Sequence, residues 1–327
     1  MKIAVSSSDE LTRVDLFLSQ RLIKFSRTNI QKMISNQSIK VNGEWIKKNA
    51  SLNYGDIIEI DLTNKKDLEE TLLEKWKYPL DVLYKDKDFA IVNKPRGIIV
   101  HPAKGNYNKT LVNIVLDTFE QDFESSVDPL RPGIVHRLDK DTTGVMIIPF
   151  SEYSHWKIAE QFQNRTIQKE YIAITWGLWN KNEGVIDNFL NRNKKNPIKF
   201  EVSDTGKNAV SGFKLIKSGR YLSAVRFFPK TGRTHQIRAH CKEFGYPIFG
   251  DDLYNGGVQK SKEYSKDIQL QLNNYYSMIE GFCLHAHSIE FNHPSTNERV
   301  QFKIDPDKNF QTIYPVSYTH LTLPTKA

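Results

Sequence analysis

Apolar residues recur at helical spacing near the start of the chain, at Val14, Phe17, Leu18, Leu22 and Ile23, then at Ile30, Met33 and Ile34. This spacing predicts two short helices, with Ser26 placed to cap the second. The period then drops to two. Ile39-Lys-Val41 and Ile57-Ile58-Glu59-Ile60 read as strands, and Asn42-Gly43, which accepts positive φ, marks a hairpin turn. Residues 63–78 are charged, carry no strand pattern and read as a linker. Beyond them strands are predicted at Asp88–Asn93, Tyr171–Thr175, Ala209–Ile216, Leu222–Phe228 and Val300–Ile304. Helices are predicted at Asn113–Leu116 and Ser151–Asn164, the latter with Trp156, Ala159 and Phe162 on its apolar face. Interspersed helices and strands specify an α+β fold: a small αα-hairpin module over 12–62, the linker over 63–78, and a mixed, mainly antiparallel sheet with packed helices over 79–306.

Composition adds a preference for an anionic partner, with 46 Lys+Arg against 38 Asp+Glu and a net charge of +8. No run of about 18 apolar residues suggests a membrane span, and the first residues lack the apolar segment of a signal peptide. A cytoplasmic location is therefore expected. Cys241 and Cys283 form no CxxC pattern and read as buried thiols in a reducing compartment. Val316–Thr325 reads like the in-frame translation of a transposase sequencing adapter and is set aside from the functional reading.

Candidate chemistry concentrates in Gly133-Ile-Val-His136-Arg137-Leu138-Asp139-Lys140-Asp141-Thr142-Thr143-Gly144. A carboxylate beside a fixed cation stays ionised, and an ionised Asp can act as a nucleophile. Asp139 is the leading candidate and Asp141 its competitor. Three further segments stand out: Lys94-Pro95-Arg96-Gly97 running to His101-Pro102, Gln168-Lys169-Glu170-Tyr171-Ile172-Ala173, and Thr231-Gly232-Arg233-Thr234-His235-Gln236-Ile237-Arg238-Ala239-His240. His235, His240, His285 and His287 lack a nearby Cys pair or an H-E-x-x-H helix, so they read as structural histidines and no metal site is expected.

Taken in order, these segments resemble the RluA-type RNA pseudouridine synthases, whose signature is H-R-L-D-x-x-T/S-G. Residues 12–62 resemble the S4 RNA-binding domain through Ser26-Arg27-x-x-Ile30-x-x-x-Ile34 and the Val41-Asn42-Gly43 turn. The branch most similar is the large-ribosomal-subunit type D. The resemblance implies isomerisation of uridine to pseudouridine in RNA, with large-subunit ribosomal RNA as substrate. That reaction oxidises and hydrolyses nothing, so it implies no cofactor and no metal; a monomer is the default.

The resemblance also assigns roles. Asp139 is the nucleophile, Tyr171 stacks on the uracil and handles a proton, and Arg233 is the arginine paired with Asp139. Arg137 assists base flipping, with His136, Lys94 and His101 as further RNA contacts. Arg21, Lys24, Arg27 and Lys32 form a basic face on the S4-like module, while Arg238 is structural or phosphate-binding. Two departures stand out: Gly281-Phe282-Cys283, where relatives often carry a basic residue, and a polar insertion at Asn255–Glu280. Two alternatives remain open, the same chemistry on transfer RNA and a non-catalytic RNA-binding ribosome-assembly factor.

Overall fold

A computed structural model of the chain describes residues 2–5, 10–21, 27–61, 74–101, 108–124 and 133–313. Lys24, the side chain of Arg21, most of the expected linker and the segment 316–325 lie outside the described residues. The chain divides into two compact units, Met1–Glu74 with Glu124–Pro132, and Lys75–Phe123 with Gly133–Ala327.

In the first unit β1 (Lys2–Ala4), β2 (Ile39–Val41), β3 (Glu44–Trp45) and β4 (Ile57–Ile60) form a sheet in the order β1-β4-β2-β3. Helices α1 (Val14–Arg21) and α2 (Arg27–Ser35) bury Val14, Phe17, Leu18, Ile30 and Ile34 with Ile39, Ile58 and Ile60. Strand β1 lies upstream of the expected boundary at residue 12 and adds an edge to the sheet. The hairpin turn has the expected form, with Asn42 at φ 52° and Gly43 at φ 82°. Asp15 of α1 is fully buried and accepts hydrogen bonds from Arg13, Arg27 and Gln31. Burial alone would raise its pKa, but Gln31, Arg27 and Arg13 together hold it down at about 2. Arg27, expected to meet phosphate, is 47% exposed, and its Nε donates to Asp15 at 3.0 Å, tying α2 to α1.

The second unit is built on a ten-stranded sheet in the order β10-β9-β11-β12-β8-β13-β7-β6-β5, with β14 paired to β13. The strands are β5 (Asp81–Lys85), β6 (Phe89–Lys94), β7 (Thr143–Pro149), β8 (Gln168–Trp176), β9 (Glu183–Arg192), β10 (Phe200–Ser203), β11 (Lys207–Ser218), β12 (Leu222–Pro229), β13 (Leu284–Asn292) and β14 (Arg299–Lys303). Pairing is antiparallel except between β7 and β13, so the sheet is mixed but mainly antiparallel, as expected. Around it lie α3 (Leu111–Thr118), α4 (Glu152–Gln163), α5 (Gln236–Glu243), α6 (Lys266–Ser277) and α7 (Lys308–Ile313). No helix among the described residues is long and apolar enough to cross a membrane.

Two expectations are corrected here. In α4 the buried residues are Ser154 and Ile158, while Trp156 is 55% exposed with the Lys157 ammonium over its ring. Ser154 is drawn inward because its hydroxyl donates to Asp88, a polar reason that apolar periodicity does not register. The stretch 255–280 is integrated into the core: α6 sends Leu272 inward, Ile279 follows, and both join Trp176, Phe249 and Phe282. Cys241 and Cys283 are buried in that same cluster, and burial raises both thiol pKa values.

Candidate active site

Asp139 sits on the loop leading into β7, and that loop is held from below by two cations at the end of β6. Lys94, fully buried, donates to the carbonyls of Pro95, Lys140 and Thr142 at 2.8, 2.9 and 3.0 Å. Arg96 reaches the carbonyls of Asp141 and Phe282. Lys94 is thus a loop anchor and cannot be the phosphate contact expected of it. Burial lowers its pKa to about 7, and Asp141 and Asp139 oppose that shift.

The loop then turns into β7 through Gly144, at φ 112°, where β7 meets β13. A Cβ there would lie 2.2 Å from the Ala286 carbonyl oxygen, so the close parallel pairing requires glycine. Beside it His285 is buried and its Nε2 donates to the Ile304 carbonyl (2.8 Å). Its Nδ1 therefore accepts from the Thr143 hydroxyl, 2.7 Å away. His136 is likewise structural: its Nε2 accepts the Ile147 amide at 3.0 Å and its ring stacks on Phe162. Burial lowers its pKa to about 3, so it stays neutral and offers a wall rather than a charge to RNA.

The arginine on Asp139 is Arg238, not Arg233. Arg238 Nη1 lies 3.0 Å from Asp139 Oδ2, while its Nε and Nη2 form a fork to Asp251 at 2.7 and 2.9 Å. Its guanidinium lies between the Tyr254 and Phe282 rings, 4.9 and 4.3 Å from their centroids. Burial opposes its charge, but the Asp251 and Asp139 carboxylates push its pKa above the usual range. Phe282, standing where a basic residue was expected, is thus one plate of the clamp. Gly281 before it runs at φ 108°, and a Cβ would press on Asp141 at 2.8 Å. Arg233 turns the other way, its Nε donating to the Asn208 carbonyl at 3.0 Å.

Asp139 is partly accessible, with 18% of its side chain exposed, and opens onto a cavity of about 110 Å³. Tyr171, Lys169, His235 and Leu284 share that wall. Burial first, and the Asp139 charge second, raise the Tyr171 pKa above its ordinary value, so the phenol keeps its proton. An adjoining cleft of about 380 Å³ shares Arg137, Lys169, Tyr171 and Arg233 and adds Arg165 and Lys230, five basic side chains with no acidic one. Arg137 is exposed and lines both spaces. His101 is half-buried and lies outside both linings, and Lys32 is exposed on α2 of the first unit.

One group of potential metal ligands gathers among the described residues, Asp86, Asp88 and His293. His293 Nε2 bonds Asp86 Oδ2 at 2.8 Å, and Nδ1 accepts the amides of Ser295 and Thr296 at 3.2 and 3.3 Å. No ring lone pair is left for a metal. The group is a structural clasp between the β5–β6 turn and the β13–β14 turn.

Residues 88–243 match the family described as RNA pseudouridylate synthase. A Bacillus subtilis (strain 168) protein named uncharacterized RNA pseudouridine synthase YlyB is 34% identical over 92% of both chains. A Blochmanniella floridana protein named ribosomal large subunit pseudouridine synthase D is 34% identical over 89% of each. The fold matches the structure titled human RNA pseudouridylate synthase domain containing 1, with a TM-score of 0.52 and 22% identity over 70% of this chain and 84% of that one. The chain belongs to the RNA pseudouridylate synthase family. It is an RNA-modifying isomerase that converts uridine to pseudouridine.

Proposed function

We propose that Asp139 is the reacting carboxylate and that the substrate is large-subunit ribosomal RNA. The observation that carries the first part is the Asp139–Arg238–Asp251 array opening onto a cavity walled by Tyr171. In the reaction the N1–C1′ bond of uridine breaks, the uracil turns, and a C5–C1′ bond forms. The C5 proton is lost and N1 gains one, so atoms and electrons balance without an external oxidant. Arg238 holds the Asp139 carboxylate against the cavity, which suits it to attack the nucleotide or to stabilise the cationic sugar as uracil leaves. Tyr171, protonated, offers a stacking face and a donor for the detached base. Before reaction the target base leaves its stack, at a cost of a few kcal/mol, and exposed Arg137 at the junction of both cavities is placed to fill the gap.

The five basic side chains of the larger cleft suit the phosphates that accompany an extruded nucleotide. The first unit is read as an S4-like RNA-binding module, with Lys32 and Arg27 among its exposed described cations. The ribosomal substrate rests on relatives at about one-third identity named for the large ribosomal subunit. Mapping pseudouridine across cellular RNA with and without this gene tests it. Sites lost from large-subunit RNA are expected; losses confined to transfer RNA would overturn the substrate while keeping the chemistry. Asp139→Asn is expected to bind RNA and form no pseudouridine, and full turnover by that variant would overturn the role of Asp139.

A further inference from the structure

His235 stands directly before α5 with a left-handed backbone, φ 56° and ψ 21°. That conformation is unfavourable for a side chain with a Cβ and persists where its surroundings enforce it. The enforcing contacts are on the ring, which sits edge-on to Phe200 and Tyr254 with centroids 5.8 and 5.7 Å away. Tyr254 is fully buried, and its hydroxyl oxygen accepts the Phe200 amide at 2.8 Å. The hydroxyl proton is then directed to His235 Nδ1 at 3.0 Å. An accepting Nδ1 places the ring proton of a neutral imidazole on Nε2. Burial lowers the His235 pKa, which favours that neutral form.

Nε2 lies 3.9 Å from Asp139 Oδ2, the same oxygen that Arg238 binds. The other oxygen, Oδ1, makes no hydrogen bond among the described residues. We propose that His235 is a positioning residue for Asp139, its tautomer set by Tyr254, and that the two donors fix the carboxylate's rotation so that Oδ1 faces the uridine. The separation of 3.9 Å closes by a small rotation of the carboxylate or is bridged by one substrate oxygen. The inference rests on the reading of Asp139 as the reacting group.

Single-turnover pseudouridine formation on a mapped target RNA tests it. His235→Asn suits the left-handed backbone, since Asn adopts it more readily than most residues. It is expected to keep the wild-type melting temperature and RNA affinity and to lose about tenfold to a hundredfold in rate. Tyr254→Phe keeps the ring beneath Arg238 but removes the proton donor, and it should slow the reaction in the same direction. The double variant should be no slower than His235→Asn alone, because both act through one Nε2–H. A wild-type rate in either single variant overturns the proposal, as do losses that multiply in the double variant. A fully active Asp139→Asn overturns the reading of Asp139 instead.

Discussion

Arg238 carries two carboxylates on one guanidinium, a geometry that its planar fork of donors supplies and a lysine ammonium would not. Arg238→Gln would leave Asp139 and Asp251 without their shared cation. We expect a stability loss of about 3–5 kcal/mol in urea unfolding and at least a hundredfold loss of single-turnover rate. Arg233→Gln removes one bond to a backbone carbonyl and a cleft cation, so RNA affinity should weaken while the rate at saturating RNA stays near wild type. Equal damage from both substitutions would show that the pairing seen here does not govern reactivity. Asp139 and Tyr171, which the structure sets on one cavity wall, were legible as candidates because each sits in a short motif whose neighbours are local. The choice between Arg233 and Arg238 was not, because His235 intervenes with its left-handed turn and α5 then carries Arg238 toward Asp139. Tyr254 and Asp251 were missed for a related reason: their partners are far away in the chain, and only a bidentate arginine's need for carboxylates hints at Asp251.

At the scale of elements, the parallel seam between β7 and β13 is what brings the Asp139 loop to its supports. Gly144→Ala sets a methyl against the Ala286 carbonyl in a backbone conformation that L side chains rarely adopt. It should destabilise the protein by more than about 3 kcal/mol, read by thermal or urea unfolding. Helix α4 gives a milder contrast. Ile158→Ala empties a fully buried site and should cost about 2–4 kcal/mol, whereas Trp156→Ala, at 55% exposure, should change stability by less than about 0.5 kcal/mol. Sequence patterning placed this helix but misjudged its face, since a large aromatic reads as core while Ser154 is held inside by Asp88. The strands with clean alternation were likewise legible; β9 was not, because its exposed positions carry Val185 and Phe189.

Across the described residues, burial lowers the pKa of His235 and of three further histidines, His136 to about 3 and His240 and His285 to about 4 each. Below the ordinary value near 6.5 the unfolded chain takes up protons that the folded protein resists, so stability present above that pH is lost as pH falls toward 4. With about 1.4 kcal/mol per pH unit per group, urea unfolding should show a loss on the order of 3–4 kcal/mol between pH 6 and pH 5. His240 makes no side-chain hydrogen bond, so His240→Leu should keep stability near pH 7 and remove about a third of the acid loss. A pH-independent stability over that range would contradict the burial of these rings as neutral groups.

The seam at β7 and β13 also sets a moment in the life of each molecule. Thr143 bonds to His285, 142 residues further along, and His285 is fixed in turn by the Ile304 carbonyl. A ribosome delivers the chain from its N-terminus, and early segments begin to fold before the rest emerges. A nascent chain that has just exposed Asp139 therefore holds the motif without its setting: Arg238, Asp251, Phe282 and His285 are still unmade. The Asp139 loop therefore gains its support through Thr143, His285 and Ile304 only after Ile304 has been made, more than a hundred and fifty residues of synthesis after Asp139 itself.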